Sequence, residues 1–103
     1  MNTMKTRNLI DPKKIAEFCR RNKVRRFSIF GSYSTGQPRP GSDVDVLVSF
    51  KPEANPTLAD LAEMREELGV LFGKSVDLVE EEAIRNPYRR ASIFRGKKVL
   101  YAP

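Results

Sequence analysis

The stretch GSYSTGQPRPGSDVDVLV, residues 31–48, decides how this chain is read. It holds two Gly-Ser pairs, two prolines and two aspartates one residue apart, then runs into Val46, Leu47 and Val48. Val44, Val46 and Val48 alternate with the other positions, which is the period of a strand with one face in the core. Residues two apart in a strand share a face, so Asp43 and Asp45 point the same way, together with Leu47. Side-by-side carboxylates repel each other, and the gap calls for a cation.

Upstream, Val24 to Phe30 reads as a strand, with Phe27 and Ile29 on one face and Ser28 on the other. Gly31-Ser32 follows it directly, so backbone amides and the Ser32 hydroxyl are placed to meet a phosphate. Asp11-Pro12 starts a helix running to about Asn22, with Ile15, Phe18 and Cys19 on its apolar stripe. Cys19 there belongs to the core.

Downstream, a strand over residues 43–50 leads into the two-proline loop 51–56. Thr57 and Asp60 form a capping box ahead of Leu61, Met64, Leu68 and Leu71, and Gly73 ends that helix. A third strand covers residues 75–79, with Asp77 on the face opposite Val76 and Leu78. A short helical piece begins at Glu81 and stops before Pro87. Another helix runs from Tyr88 to about Phe94, and Lys98 to Tyr101 is a last extended segment. Tyr88, Arg89 and Arg90 read as a solvated helix face. The fold class is α/β (α+β), a small mixed β-sheet flanked by helices.

At 103 residues the chain is expected to form a single domain over 1–103, with residues 1–10 as a mobile tail. An apolar share of 40% beside 31% charged residues is ordinary for a soluble globular protein. No apolar run approaches the ~20 residues of a membrane span, and no signal peptide is apparent, so a cytoplasmic protein is expected. One cysteine and no histidine argue against a disulfide or a zinc site. The net charge of +6 is uneven: nine acids fall in residues 51–82, whereas residues 85–98 carry six cations and no acid. Such clusters attract polyphosphate or acidic partners, or simply keep the chain in solution.

Asp77 is the lone acid between apolar neighbours in its strand. If it joins Asp43 and Asp45, three carboxylates require hydration, protonation or a metal. Oxygen-only donors favour Mg²⁺ or Mn²⁺, and paired ions serve in-line phosphoryl displacement. Gly31 to Gly36 imitates the start of a P-loop, but Gln37-Pro38 stands where Lys and Ser or Thr are required. An EF-hand fails because Leu47 occupies the third ligand position.

Gly31-Ser32, ten residues, then Asp43-Val44-Asp45 resembles the signature of the DNA polymerase beta-type nucleotidyltransferase superfamily. Average residue usage gives this four-residue pattern by chance in about one such chain per thousand, so the signal is specific. The short length is similar to the minimal nucleotidyltransferases, antitoxins of HEPN/MNT toxin–antitoxin systems, and the likeness covers roughly residues 12–102. By that resemblance, Asp43 and Asp45 bind two Mg²⁺ ions, and Asp77 holds the catalytic ion and helps take the acceptor proton. Gly31 and Ser32 hold the β- and γ-phosphates of ATP.

The implied activity is transfer of AMP from ATP to a hydroxyl, a tyrosine, of a partner HEPN toxin. This implies a hetero-oligomer, with no membrane contact and no direct nucleic-acid binding. Two alternatives are a non-catalytic antitoxin that neutralises its toxin by binding, and a small-molecule nucleotidyltransferase. Many relatives read Gly-Ser-x-Ala-Arg-Gly, whereas Thr35 here replaces the Arg, with Arg39 nearby as a substitute.

Overall fold

Pro12 cannot donate a backbone hydrogen bond and therefore suits the first turn of a helix, and Asp11 before it accepts from Lys13 N at 2.9 Å. The helix that follows, α1, spans Pro12–Arg21 and buries Ile15, Phe18 and Cys19. The structure, a computed structural model, describes residues 10–31 and 43–103. The expected tail over 1–9 lies outside them. Ile10, counted with that tail, is buried in the same cluster as Ile15. These residues flank the cap at the spacing of a hydrophobic staple, which fixes the angle at which the chain enters α1.

The remaining elements are β1 (Val24–Phe30), β2 (Val44–Phe50), α2 (Leu58–Phe72), β3 (Val76–Glu80), a 3-10 turn (Glu81–Ala83), α3 (Pro87–Gly96) and β4 (Lys98–Tyr101). The strands form one sheet in the order β3-β2-β1-β4. β1 pairs antiparallel with both β2 and β4, whereas β2 and β3 are parallel. A parallel pair needs a crossover, and α2 supplies it.

Thr57 and Asp60 complete the reciprocal capping box at the start of α2, with bonds of 2.8 and 3.1 Å. At its other end Gly73 adopts φ 68°, a left-handed turn that glycine enters without a Cβ penalty. Several boundaries shift by one residue from the sequence reading, among them the starts of β2 and α3 and both ends of β3. β2 starts at Val44 because Val44 N–H donates to Ser75 O at 2.9 Å, which leaves Asp43 just ahead of the ladder. β3 runs to Glu80, since Val48 pairs with Glu80.

The alternation of β2 divides the core in two. Val44, Val46 and Val48 join α1, α2, Phe27 and Ile29 in the larger cluster on one face. Phe18 and Phe27 meet edge to face there, with ring centroids 6.0 Å apart. Cys19 lies in this cluster, and burial pushes its thiol up to about 12, so it is inert packing as the stripe implied. On the opposite face Leu47 packs with Ile84 and Ile93, joined by Phe30, Val79 and Phe94. That second cluster docks α3 on the face to which Asp45 belongs.

Candidate active site

The end of β1 and the starts of β2 and β3 lie side by side. Phe30 pairs with Asp45, and Asp45 pairs in turn with Asp77. Neighbouring strands run ~4.8 Å apart, so two carboxylates in register on a parallel pair are close neighbours. Leu47 and Val79, two residues beyond each aspartate, lie in the cluster under α3. Asp45 and Asp77 therefore share that face, at its rim. Asp43 and Asp77 are exposed, and Asp45 is half-buried.

Gly31 follows Phe30 with φ +73°, a left-handed conformation that other residues rarely enter. A Cβ added there would stand 3.2 Å from the Asp45 Cγ and closer still to its Oδ2. The glycine is thus required twice, by its dihedral and by the backbone's approach to Asp45.

Burial pushes the Asp45 carboxyl above its ordinary range, and the neighbouring charges of Asp77 and Asp43 push it the same way. Arg89 opposes them. Asp43 and Asp77 thus both act electrostatically on Asp45. Among the described residues, however, no three His, Cys, Asp or Glu side chains are gathered closely enough to ligate one ion. Mutual repulsion accounts for carboxylates that stand as neighbours without converging. The donor chemistry still fits Mg²⁺ or Mn²⁺: hard carboxylate oxygens, with no thiolate or imidazole among them.

Of the residues singled out in the sequence, Gly31, Asp43, Asp45 and Asp77 come together at this edge. Ser32 lies outside the described residues, as do Thr35 and Arg39. Arg89 was read as part of a solvated face, yet its charge reaches Asp45. The available signal was the acid-free run of residues 85–98, which set a strongly basic segment after the third strand.

Glu81 was also passed over. It is 5% exposed, and Arg26 Nη1 donates to its two carboxylate oxygens at 3.0 and 3.3 Å. Its carbonyl accepts from Arg90 Nη1 at 2.9 Å, so it ties β1 to α3. Next to it, Glu82 accepts from Ser49 Oγ at 2.6 Å.

Residues 12–100 match the nucleotidyltransferase domain family. A Methanocaldococcus jannaschii protein with a provisional protein-adenylyltransferase name is 37% identical over 71 residues, 69% of this chain and 71% of its own. The protein adenylyltransferase MntA of Thermococcus cleftensis is 41% identical over 63 residues, 61% of this chain and 62% of its own. Among solved structures, one provisionally named a minimal nucleotidyltransferase superposes with a TM-score of 0.70 at 32% identity, covering 84% of this chain and 86% of that one. A chain from an MntA toxin–antitoxin complex superposes with a TM-score of 0.68 at 28% identity, covering 91% and 74%. With the matched residues spanning most of its length and Gly31 meeting the Asp-x-Asp element at one sheet edge, this chain belongs to the nucleotidyltransferase domain family, among the minimal nucleotidyltransferases.

Proposed function

We propose that this protein is a Mg²⁺-dependent protein adenylyltransferase that transfers AMP from ATP to a tyrosine hydroxyl of a HEPN-type toxin and so acts as its antitoxin. The observation that carries the reading is the in-register pairing of Asp45 with Asp77 beside the left-handed Gly31. The likeness to MntA of Thermococcus cleftensis and to a chain of an MntA toxin–antitoxin complex supports the acceptor class.

The acceptor oxygen forms a bond to the α-phosphorus as the bond from that phosphorus to the bridging oxygen breaks. Pyrophosphate departs with the electron pair, and Asp77 takes the hydroxyl proton. Asp43, Asp45 and Asp77 are the residues that would hold two Mg²⁺ ions, which neutralise phosphate charge and lower the pKa of the attacking hydroxyl. Gly31, lacking a Cβ, lets the chain run close to Asp45, and with Ser32 it receives the β- and γ-phosphates. Asp45 is held by its neighbours in the ladder, so its carboxylate is positioned before substrate arrives.

The test is transfer of label from ATP radiolabelled at the α-phosphate to a purified HEPN-type toxin, with Mg²⁺ present. The parent labels the toxin, and Asp43→Asn, Asp45→Asn and Asp77→Asn each lower the rate by at least about 10²-fold while circular dichroism stays unchanged. Full labelling by any of the three variants overturns its assignment. Neutralisation of the toxin by Asp45→Asn in cells, with no label transferred, shows instead an antitoxin that works by contact.

A further inference from the structure

We infer that Arg89 is a nucleotide-binding residue, whose guanidinium receives the triphosphate at the carboxylate edge. This rests on the nucleotidyltransferase reading and adds to it a group outside the Gly-Ser and Asp-x-Asp signature.

The placement of Arg89 is fixed by its helix. Ile93 and Phe94 anchor α3 in the cluster with Leu47 and Ile84, on the face that carries Asp45 and Asp77. Arg90 ties the first turn of α3 to the carbonyl of Glu81. The side chain of Asn86 accepts from the backbone N–H of Tyr88 and of Arg89, at 2.9 and 3.1 Å. The backbone of Arg89 is therefore fixed one turn before Ile93, on a helix docked against the face that carries Asp45, and its side chain is exposed.

The neighbouring cations are differently employed. Arg90 lies over the Phe94 ring at 4.6 Å, and Lys97 lies over the same ring at 4.1 Å. Arg89 is exposed, and its guanidinium makes no hydrogen bond or ion pair among the described residues. It nevertheless acts electrostatically on Asp45. A structural counter-ion would be drawn into contact with one carboxylate. A cation whose charge reaches Asp45 without pairing with it remains available to a ligand.

A triphosphate is itself strongly anionic and must be held against those carboxylates. Divalent ions neutralise part of the charge, and a guanidinium supplies directed donors that match phosphate oxygens. Arg89 lies within electrostatic reach of the site, on a docked helix, and is chemically suited to the task.

The experiment measures binding of two probes to the intact chain by calorimetry: Mg²⁺ with α,β-methylene-ATP, which cannot be cleaved at the α-phosphate, and Mn²⁺ alone. Arg89→Ala should weaken the nucleotide about tenfold or more, since charge-assisted hydrogen bonds are lost. Binding of Mn²⁺ alone should hold or tighten, because a nearby positive charge has been removed. Arg89→Lys should recover part of the nucleotide affinity, as the charge returns without the planar fork.

Equal nucleotide affinity in the parent and Arg89→Ala overturns the assignment. A joint loss of nucleotide, Mn²⁺ and melting temperature also overturns it, by showing a merely structural role. A parent chain that takes up no α,β-methylene-ATP overturns both this assignment and the nucleotidyltransferase reading. Nucleotide uptake by the parent with an indifferent Arg89→Ala overturns the assignment alone.

Discussion

Asp45 is held where its charge is least comfortable. It is half-buried, it pairs in register with another aspartate, and a third stands two residues away. Burial raises its pKa first, with Asp77 and Asp43 adding to the shift. A raised pKa means that the folded state binds the proton more tightly than the unfolded chain. The stabilising effect of that proton is complete below the ordinary aspartate value of about 3.9 and is lost as pH rises through the folded-state value. At pH 7 without metal, the ionised carboxylate therefore works against folding. Asp45→Asn should raise the melting temperature at pH 7 in EDTA, with the gain vanishing near pH 3. Calorimetry at the two pH values checks this, and an Asn variant no more stable at pH 7 would contradict it. Stabilisation accompanied by lost transfer is the pattern of a site arranged for chemistry.

At the level of elements, α3 and the 3-10 turn before it decide whether the site has a second wall. Hydrophobic contact alone does not hold them. Arg26 of β1 grips the buried carboxylate of Glu81, and Arg90 bonds the carbonyl of the same residue. Removing one partner of a buried ion pair leaves the other charge desolvated and unpaired, at a cost of about 3–5 kcal/mol. Glu81→Ala should destabilise the protein by about 2–3 kcal/mol in urea titration, less than for a fully buried pair because the Arg26 side chain is 27% exposed. The exposed pair between Arg21 and Glu67, which bridges α1 and α2, contributes little, because solvent screens it. Arg21→Ala is the matched control, and comparable losses in both variants would refute the argument. The short pieces around Pro87 are legible in outline because a proline stops the helical piece before it, whereas the Asn86 cap with Pro87 in the first turn of α3 came from the structure. Their anchoring was not legible, since Arg26 and Glu81 lie 55 residues apart.

Across the whole molecule, the sheet separates a structural face from a working one. Phe18 sits in the larger cluster with α1 and α2, whereas Ile93 sits in the smaller one beneath α3. Truncating a buried Phe or Ile to Ala costs about 2–5 kcal/mol in either place. The functional consequences should differ. Phe18→Ala should lose stability yet keep its transfer rate per folded molecule. Ile93→Ala should lose transfer even at temperatures where circular dichroism shows the fold intact, because α3 carries Arg89. Equal loss of rate in the two variants would show that the faces are not functionally distinct.

Much of this architecture is written in local pattern. Asp11-Pro12, the Thr57 and Asp60 box, Gly73 and the alternating valines of β2 each act over a few residues, through sterics and short hydrogen bonds that any reader of the chain can apply. The Gly-Ser and Asp-x-Asp elements were equally visible, because their chemistry depends on spacing along the chain. Tertiary structure alone decided that Asp77 stands opposite Asp45, that Ile10 belongs to the core, and that the charge of Arg89 reaches Asp45. Strand order and register bring together groups far apart in sequence, and no short-range preference encodes which of them will meet.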